Sequence, residues 1–531
     1  MRGFQVSTAL ALSALTALSW GRAPASSRLG QRLGHQHLER RSQIASNDFS
    51  SKFRRGSTND TSDFRFLTDS TSEYRVTSLP EVPYDVGEMY AGNIPIASND
   101  TDRTLFFVFQ PTIGAPVDEV TIWLNGGPGC SSLEGFLQEN GLFVWLPGTL
   151  TPTINPYSWV NLTNMLWVDQ PVGTGLSTGT PTANSQEDIA ADFTAWFLNW
   201  QKTFGISNFK IYITGESYAG RYIPYISSAF LDQNDTTHYD LSGAIIYDPC
   251  IGDCGYVQEE VPAVPFVLEN SALFNFNESF TDSLIAAHQS CGYADYIEKY
   301  LTFPTGGVQP PSPGWADSYE CDVFDLIDEA ALTVNPCFDI YDINQACPLP
   351  WNVLGFPTQL EYAPAGYDLY FNRTDVKTAL HAPQYVDWAE CSNENVFPGG
   401  DNSDQPNLYV LPKLIEGTNR VLIANGDYDF ILPTNGTLLS IQNMTWNGQL
   451  GFQTQPSTPI VIQIPDLAWA SVFEENGYAG VDGPQGTMGI QHYERGLLWA
   501  EVYQSGHMEP EYQPRVAYRH LEWLLNHTQT L

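Results

Sequence analysis

Positive charge is scarce in this chain: 23 Lys and Arg stand against 60 Asp and Glu, a formal net charge of −37 at neutral pH. A surface of that sign repels nucleic acid and anionic membranes, so neither is an expected partner. Apolar runs of membrane length are absent beyond the N-terminal segment, and the chain ends in the polar Asn526-His-Thr-Gln-Thr-Leu531. No membrane anchor is therefore expected after processing. No histidine accompanies the cysteines at ligand spacing, which argues against zinc, and neither a metal nor an organic cofactor is implied. No internal repeat is visible.

What is present is a globular composition. The 531 residues are 42% hydrophobic, with 14 Trp, 27 Tyr and 28 Phe, enough to bury a large core and carry an insertion. Met1-Arg2 followed by the apolar Ala9–Trp20 and the small Ala23, Ala25 and Ser26 has the layout of a secretory signal, so residues 1–25 are read as a signal peptide. The expected location is secreted, with a vacuole-like compartment as the alternative. Residues 26–75 are rich in Ser and Arg and contain Arg40-Arg41 and Lys52-Phe-Arg-Arg55, which reads as a propeptide cut after basic pairs or as a disordered arm. Residues 1–55 hold nine Lys/Arg and two Asp/Glu, so their loss would move the charge from −37 to about −44. Such a surface suits a protein that stays soluble in acid. Eight cysteines and an oxidising route predict four disulfides, although eight cysteines allow 105 pairings in principle. Nine Asn-x-Ser/Thr sequons, at Asn59, Asn99, Asn161, Asn234, Asn277, Asn372, Asn435, Asn443 and Asn526, are candidate glycosylation sites.

Strand-like runs recur along the chain. Thr104–Phe109, Val120–Leu124, Met165–Val168, Lys210–Thr214 and Ala244–Tyr247 come first, and Arg420–Ala424 and Gly496–Tyr503 later. Glu187–Phe204 has helical periodicity, with Ile189, Phe193, Trp196, Phe197 and Trp200 on one side. Alternating strands and helices predict an α/β fold with a mostly parallel central sheet flanked by helices. Residues 76–250 and 406–531 are read as two parts of one core, closed by a final helix over Arg515–Leu525. Residues 251–405, rich in Pro, Tyr, Asp and Cys, are read as a disulfide-stapled cap insertion.

Lys210–Gly220 is a strand running into Gly215-Glu-Ser-Tyr-Ala-Gly220, a tight turn that presents Ser217 with small residues around it. A strand-to-helix elbow of this kind exposes a nucleophilic hydroxyl and frees the following amide to face an oxyanion. A serine nucleophile needs a base and a carboxylate to orient it. Asn425-Gly-Asp-Tyr-Asp429 follows one strand and Gln504-Ser-Gly-His507 follows the last, giving the order Ser, Asp, His of an α/β-hydrolase fold. Asp429 is preferred as the orienting acid, with Asp427 as a loop-shaping acceptor. His507 is the preferred base, because Gly506 gives its loop freedom and Pro510 rigidity. His492 and His520 are read as surface residues, His527 lies in a sequon, and the two histidines before residue 40 precede the fold.

From about residue 75 onward the chain resembles the serine carboxypeptidases, secreted or vacuolar enzymes best matched here by fungal members. Trp123-Leu-Asn-Gly-Gly-Pro-Gly-Cys-Ser-Ser132 is similar to that family's glycine-rich signature, and Val168-Asp-Gln-Pro-Val-Gly-Thr-Gly-Leu-Ser177 to a second. The Ser217, Asp429 and His507 segments resemble its triad blocks. The resemblance implies an acid exopeptidase that removes single residues from peptide and protein C-termini through an acyl-enzyme. It implies an oxyanion hole at the amides of Gly127 and Tyr218, and a set of Asn125, Gly126, Glu139 and Glu216 for the substrate's terminal carboxylate. It also implies a Cys130–Cys391 disulfide, leaving six cysteines to staple the cap with partners unassigned. Met508, beside the base, is a candidate for the pocket of the departing residue. Two departures stand out: Glu509 replaces a small or apolar residue, where it would either favour a basic departing residue or, the preferred reading, point into solvent, and Glu139-Asn-Gly-Leu-Phe143 replaces a Glu-x-Gly-Pro-Phe pattern. An acyltransferase or lyase on the same scaffold, or a glycoprotein with a mainly partner-binding role, are the competing readings.

Overall fold

The computed structural model describes residues 63–97, 99–313, 321–355, 368–393, 395–463 and 484–531. The segment 1–25, most of 26–75 and the Asn59 sequon lie outside the described residues. Residues 63–75 lie inside them and are packed. Phe66 meets Phe109 edge to face at 5.2 Å, and Arg65 Nη2 donates to Thr112 O at 2.9 Å. The arm expected over 26–75 therefore does not extend to residue 75, because this stretch has an apolar anchor and a paired guanidinium on the core.

The strands are β1 (Tyr90–Ala97), β2 (Asp100–Gln110), β3 (Glu119–Leu124), β4 (Phe143–Val144), β5 (Thr153–Ile154), β6 (Asn164–Asp169), β7 (Lys210–Glu216), β8 (Asp240–Tyr247), β9 (Val421–Gly426), β10 (Thr445–Trp446), β11 (Gln449–Leu450), β12 (Thr458–Ile462), β13 (Gly486–Glu494) and β14 (Leu497–Val502). One sheet runs β1-β2-β6-β3-β7-β8-β9-β14-β13-β12. Its centre, from β6 to β14, is parallel, and both edges are antiparallel. The central strands are buried on both faces, which is why they read as continuous apolar runs with no polar alternation. The edge strands β1 and β12, and β13 beside β12, carry no such run: Pro95 and Asn93 interrupt β1, Pro459 sits in β12, and Gly489 and His492 in β13. Proline at an edge removes a donor that no neighbour needs.

Helix α1 (Gln186–Phe204) is set by its ends and its aromatic face. The Ser185 hydroxyl accepts from Asp188 N at 3.3 Å, and Gly205 closes the helix at φ +66°. Its buried stripe includes Phe193, Trp196 and Trp200, the last edge-on to Phe109 at 5.0 Å. Helix α2 (Ala219–Gln233) follows β7 directly. Between β8 and β9 come α3 (Val261–Glu269), α4 (Glu278–Ser290), α5 (Tyr293–Tyr300) and α6 (Val323–Val334), and the chain closes on α7 (Pro514–Leu524). Apolar side chains of α3, α4, α5 and α6 form their own cluster, joined to the sheet side through Phe430 and Leu439. The six cysteines left unassigned pair locally as Cys250–Cys254, Cys291–Cys321 and Cys337–Cys347. The C-terminal ends of β3, β7, β8, β9 and β14 point the same way, and the functional residues gather there.

Candidate active site

β7 delivers Ser217 in a backbone conformation that side chains rarely adopt, φ +64°. The turn is held by its own amides: Ser217 N donates to Tyr247 O at 2.9 Å, and Gly220 N donates to Ser217 O at 2.9 Å. The small residues are dictated by space. A Cβ on Gly215 would sit 2.0 Å from Leu124 O, and one on Gly220 would sit 2.7 Å from Cys250 O. The Tyr218 hydroxyl donates to Asp401 Oδ2 at 2.6 Å, which fixes the residue whose amide follows the serine.

The glycine-rich loop after β3 lies against this turn. A Cβ on Gly126 would fall 2.4 Å from Tyr218 N and 2.7 Å from Ser217 Cβ, so only glycine admits the contact. Gly127, at φ +107°, is crowded by the Gly129 and Cys130 amides. The expected Cys130–Cys391 disulfide is present and ties the loop to residues 388–392. Ser131 N donates to Glu390 O at 2.7 Å, and Ser392 N to Gly129 O at 2.9 Å. Asp169, from the second signature, accepts from Ser131 Oγ at 2.7 Å and Ser132 N at 2.9 Å. That motif shapes the first one.

Asp429 and His507 meet as expected. His507 Nδ1 lies 2.7 Å from Asp429 Oδ2, with the two side chains 3% and 0% exposed. Asp429 Oδ1 accepts from the amides of Ile431 and Leu432, which leaves Oδ2 for the imidazole. With Nδ1–H given to Asp429, Nε2 carries the lone pair, and that atom is buried without a hydrogen-bond partner. Asp427 Oδ1 accepts from Gln504 N at 2.6 Å, joining the two loops in the shaping role expected of it. Gly506 acts differently from the expectation. A Cβ there would sit 2.4 Å from Tyr341 O, so it provides close approach and not loop freedom.

Three surface expectations are corrected. Glu509 does not point into solvent: it is fully buried, with Oε1 3.1 Å from His520 Nδ1, and His520 is equally buried on α7. Burial raises the Glu509 carboxyl above its usual value, and the facing imidazole opposes that. His492 is half-buried in β13, with Nε2 3.0 Å from Glu494 Oε2. Among the sequons, Asn161 is 2% exposed with Nδ2 spent on Pro156 O, and Asn372 Nδ2 donates to Trp388 O at 2.6 Å. Asn99, Asn234, Asn277 and Asn526 are exposed, and Asn372, Asn435 and Asn443 are half-buried.

The carboxylate-binding candidates converge too. Asn125 is pinned by Trp123 Nε1 on Oδ1 at 2.7 Å, and its Nδ2 donates to Glu216 Oε1 at 2.8 Å and Glu134 Oε2 at 3.1 Å. Glu139 is 2% exposed and neither of its oxygens has a hydrogen-bond partner; Glu216 Oε2 is likewise unpaired. Burial, and then Glu134, push the Glu139 carboxyl well above the usual range. Burial and Glu139 do the same to Glu216, and burial lifts Glu134 to about 7. Met508 lines a cavity on this side of the site.

Asp248 joins the site without having been singled out. It stands at the end of β8 with φ +42°, and its Oδ1 accepts from Gly426 N at 2.8 Å. Burial first, then Asp429, hold its carboxyl well above the usual range. The only signal was Tyr247-Asp248-Pro249 directly beyond a strand, the same placement as Asp429 and His507. Asp248, Asp429 and His507 have ligand-type atoms within 4.8 Å of one another. Two of those groups are already committed, His507 Nδ1 to Asp429 and Asp248 Oδ1 to the Gly426 amide.

A parallel sheet whose strand ends assemble a serine elbow, a buried imidazole and a carboxylate defines an α/β-hydrolase. The family model described as serine carboxypeptidase matches residues 80–527, so this chain belongs to the serine carboxypeptidase family and is a serine-type carboxypeptidase. It is 64% identical over 478 residues to serine-type carboxypeptidase F of Aspergillus niger, covering 88% of this chain and 90% of that protein. It is 45% identical over 480 residues to a probable serine carboxypeptidase of Arthroderma benhamiae, covering 88% of each. The crystal structure of a prohormone-processing carboxypeptidase from Saccharomyces cerevisiae is similar at a TM-score of 0.67 and 27% identity, over 87% of this chain and 97% of that one.

Proposed function

We propose that Ser217, His507 and Asp429 carry the carboxypeptidase reaction, and that Asn125, Gly126, Glu139 and Glu216 select the free C-terminus. The observation that carries the reading is the buried, unpaired Nε2 of His507, whose other nitrogen is 2.7 Å from Asp429. Ser217 Oγ attacks the last peptide carbonyl as His507 Nε2 takes its proton. The amides of Gly127 and Tyr218 receive the oxyanion, and Asp429 stabilises the imidazolium. His507 then protonates the departing amino group, one C-terminal amino acid leaves, and water cleaves the acyl-enzyme by the same steps.

Two glutamates beside a substrate carboxylate make sense only if they hold protons. Burial keeps the Glu139 and Glu216 carboxyls protonated in acid, so they donate hydrogen bonds to the carboxylate. As pH rises they ionise and repel it, so peptide binding weakens toward neutral pH. Activity on peptides is therefore greatest in acid. Four disulfides and the apolar N-terminal segment support a route through an oxidising compartment to the outside or a vacuole. Among the described residues no helix is long and apolar enough to cross a membrane.

Peptides with free and amidated C-termini, given to wild type and Ser217→Ala and read by mass spectrometry, test the proposal. Single residues lost in sequence from free ends only, and only by wild type, is the expected result. Internal cleavage, or activity retained in Ser217→Ala, would overturn it. No observation favours an acyltransferase, a lyase or a purely partner-binding role.

A further inference from the structure

Three donors converge on the Asp429 carboxylate. The amides of Ile431 and Leu432 reach Oδ1 at 2.9 and 3.2 Å, and His507 Nδ1 lies 2.7 Å from Oδ2. An ionised carboxylate has about four acceptor positions, so one remains, on Oδ2. Asp248 stands beside it. Ligand-type atoms of Asp248, Asp429 and His507 all lie within 4.8 Å of one another, and both aspartates are 0% exposed. Asp248 Oδ1 accepts from Gly426 N at 2.8 Å, but Oδ2 is buried with no hydrogen-bond partner. A buried carboxyl oxygen ordinarily finds one. Asp248 is also held firmly in place: its amide donates to Ala424 O at 2.7 Å, and its φ of +42° belongs to a region that Asp and Asn tolerate best among side chains.

Two carboxyls this close in a buried site share a proton, because like charges there do not both ionise. The donor count says where the proton sits. Two amides and the imidazole all favour a charged Asp429, whereas Asp248 has one strong donor, the Gly426 amide, and a second 3.4 Å away on Asn425. The proton therefore belongs on Asp248, at its unpartnered Oδ2. Burial first, then Asp429 and Glu509, hold the Asp248 carboxyl well above the usual range, in agreement with that placement. Glu216 and Tyr247 face the same carboxyl, and an ionised Asp248 would disfavour the charged form of each.

We infer that Asp248 is a positioning residue of the triad, a neutral acid whose Oδ2–H donates to the last acceptor position of Asp429. That bond completes the shell of the carboxylate and fixes its plane, and with it the imidazole that takes the proton from Ser217. It also keeps the charge behind His507 single. The inference rests on the triad reading above and deepens it.

The test compares Asp248→Asn with Asp248→Gly. Asparagine suits φ +42°, accepts from Gly426 through Oδ1 and donates to Asp429 through Nδ2, so it mimics a protonated acid and not an ionised one. Glycine suits the backbone and removes the donor. On one peptide in acid, kcat of Asp248→Gly is expected to fall by at least about tenfold with KM little changed, while Asp248→Asn keeps kcat within about threefold. Phosphonylation of Ser217 by diisopropyl fluorophosphate is expected to slow in the same order, since that reagent needs the nucleophile and no terminal carboxylate. Should the glycine variant fold poorly, the infrared difference between wild type and Asp248→Asn decides: the band lost is expected to be that of a protonated carboxyl. Loss of an ionised carboxylate band, an Asn variant as impaired as the Gly variant, or an unchanged kcat in Asp248→Gly would each overturn the inference. Wild type left unmodified at Ser217 by the reagent would instead overturn the triad reading.

Discussion

At the scale of single residues, the site is organised by what cannot be substituted and by what cannot ionise. Gly126 has no room for a Cβ against Ser217 and Tyr218, and Ser217 is held at φ +64°, so loop and elbow are fitted to one another. Strain of that kind is stored where surrounding packing over-determines it. The chemical selection is the role proposed for Glu216. A Gln in its place keeps the size and a donor but has no proton to lose. For Glu216→Gln we expect peptide KM to stay low toward neutral pH, whereas in wild type it rises by up to roughly tenfold per pH unit once the cluster titrates. Steady-state kinetics between pH 4 and 8 on one peptide checks this, and identical KM profiles for the two proteins would refute the role given to Glu216.

At the scale of elements, the strand ends bring residues from distant parts of the chain together, and the disulfide from β3's loop to residue 391 holds them in register. Cys130–Cys391 spans 261 residues in sequence and is joined by backbone bonds on either side. Replacing both cysteines by alanine is expected to cost about 2–5 kcal/mol of stability. Because the loop carries Gly127, kcat is expected to fall more than KM rises; thermal unfolding and steady-state kinetics together read both effects. A fall in stability with kcat unchanged would mean that the loop is held by its hydrogen bonds alone. Much at this scale was legible beforehand. The parallel strands are unbroken β-branched and aromatic runs, and the triad segments each follow one. The edge strands β1 and β12 and the neighbouring β13 were not legible, because Pro95, Pro459 and Gly489 break their pattern. Glu509 and His520 read as surface residues because a charged residue's burial depends on a partner elsewhere, here on α7. Asp248 was missed because one Asp before a proline looks like an ordinary turn.

At the scale of the whole molecule, the feature that recurs is the protonated carboxyl. Burial lifts Glu119, Glu501 and Asp339 to about 7, Glu260 and Glu511 to about 8, and Asp427 to about 6, in every case as the leading cause. These groups are spread over the sheet, the residues between β8 and β9, and the site, so the effect is not confined to catalysis. In an unfolded chain such carboxyls titrate near 4, so between about pH 4 and 8 the folded protein binds more protons than the unfolded one. Stability must then fall as pH rises across that window. Their contribution is complete below the unfolded values and is lost as pH passes the raised folded ones. The net charge of −37 at neutral pH adds repulsion in the same direction. We expect the apparent Tm to drop by roughly 3–6 °C between pH 4.5 and 8, since several kcal/mol are withdrawn and each moves Tm by about 1 °C at this size. Scans at one fixed rate and constant ionic strength measure it. A Tm that held level or climbed over that range would mean that the buried carboxyls find compensating partners on ionising. The acid preference would then belong to the Glu139 and Glu216 site alone, with no counterpart in the fold.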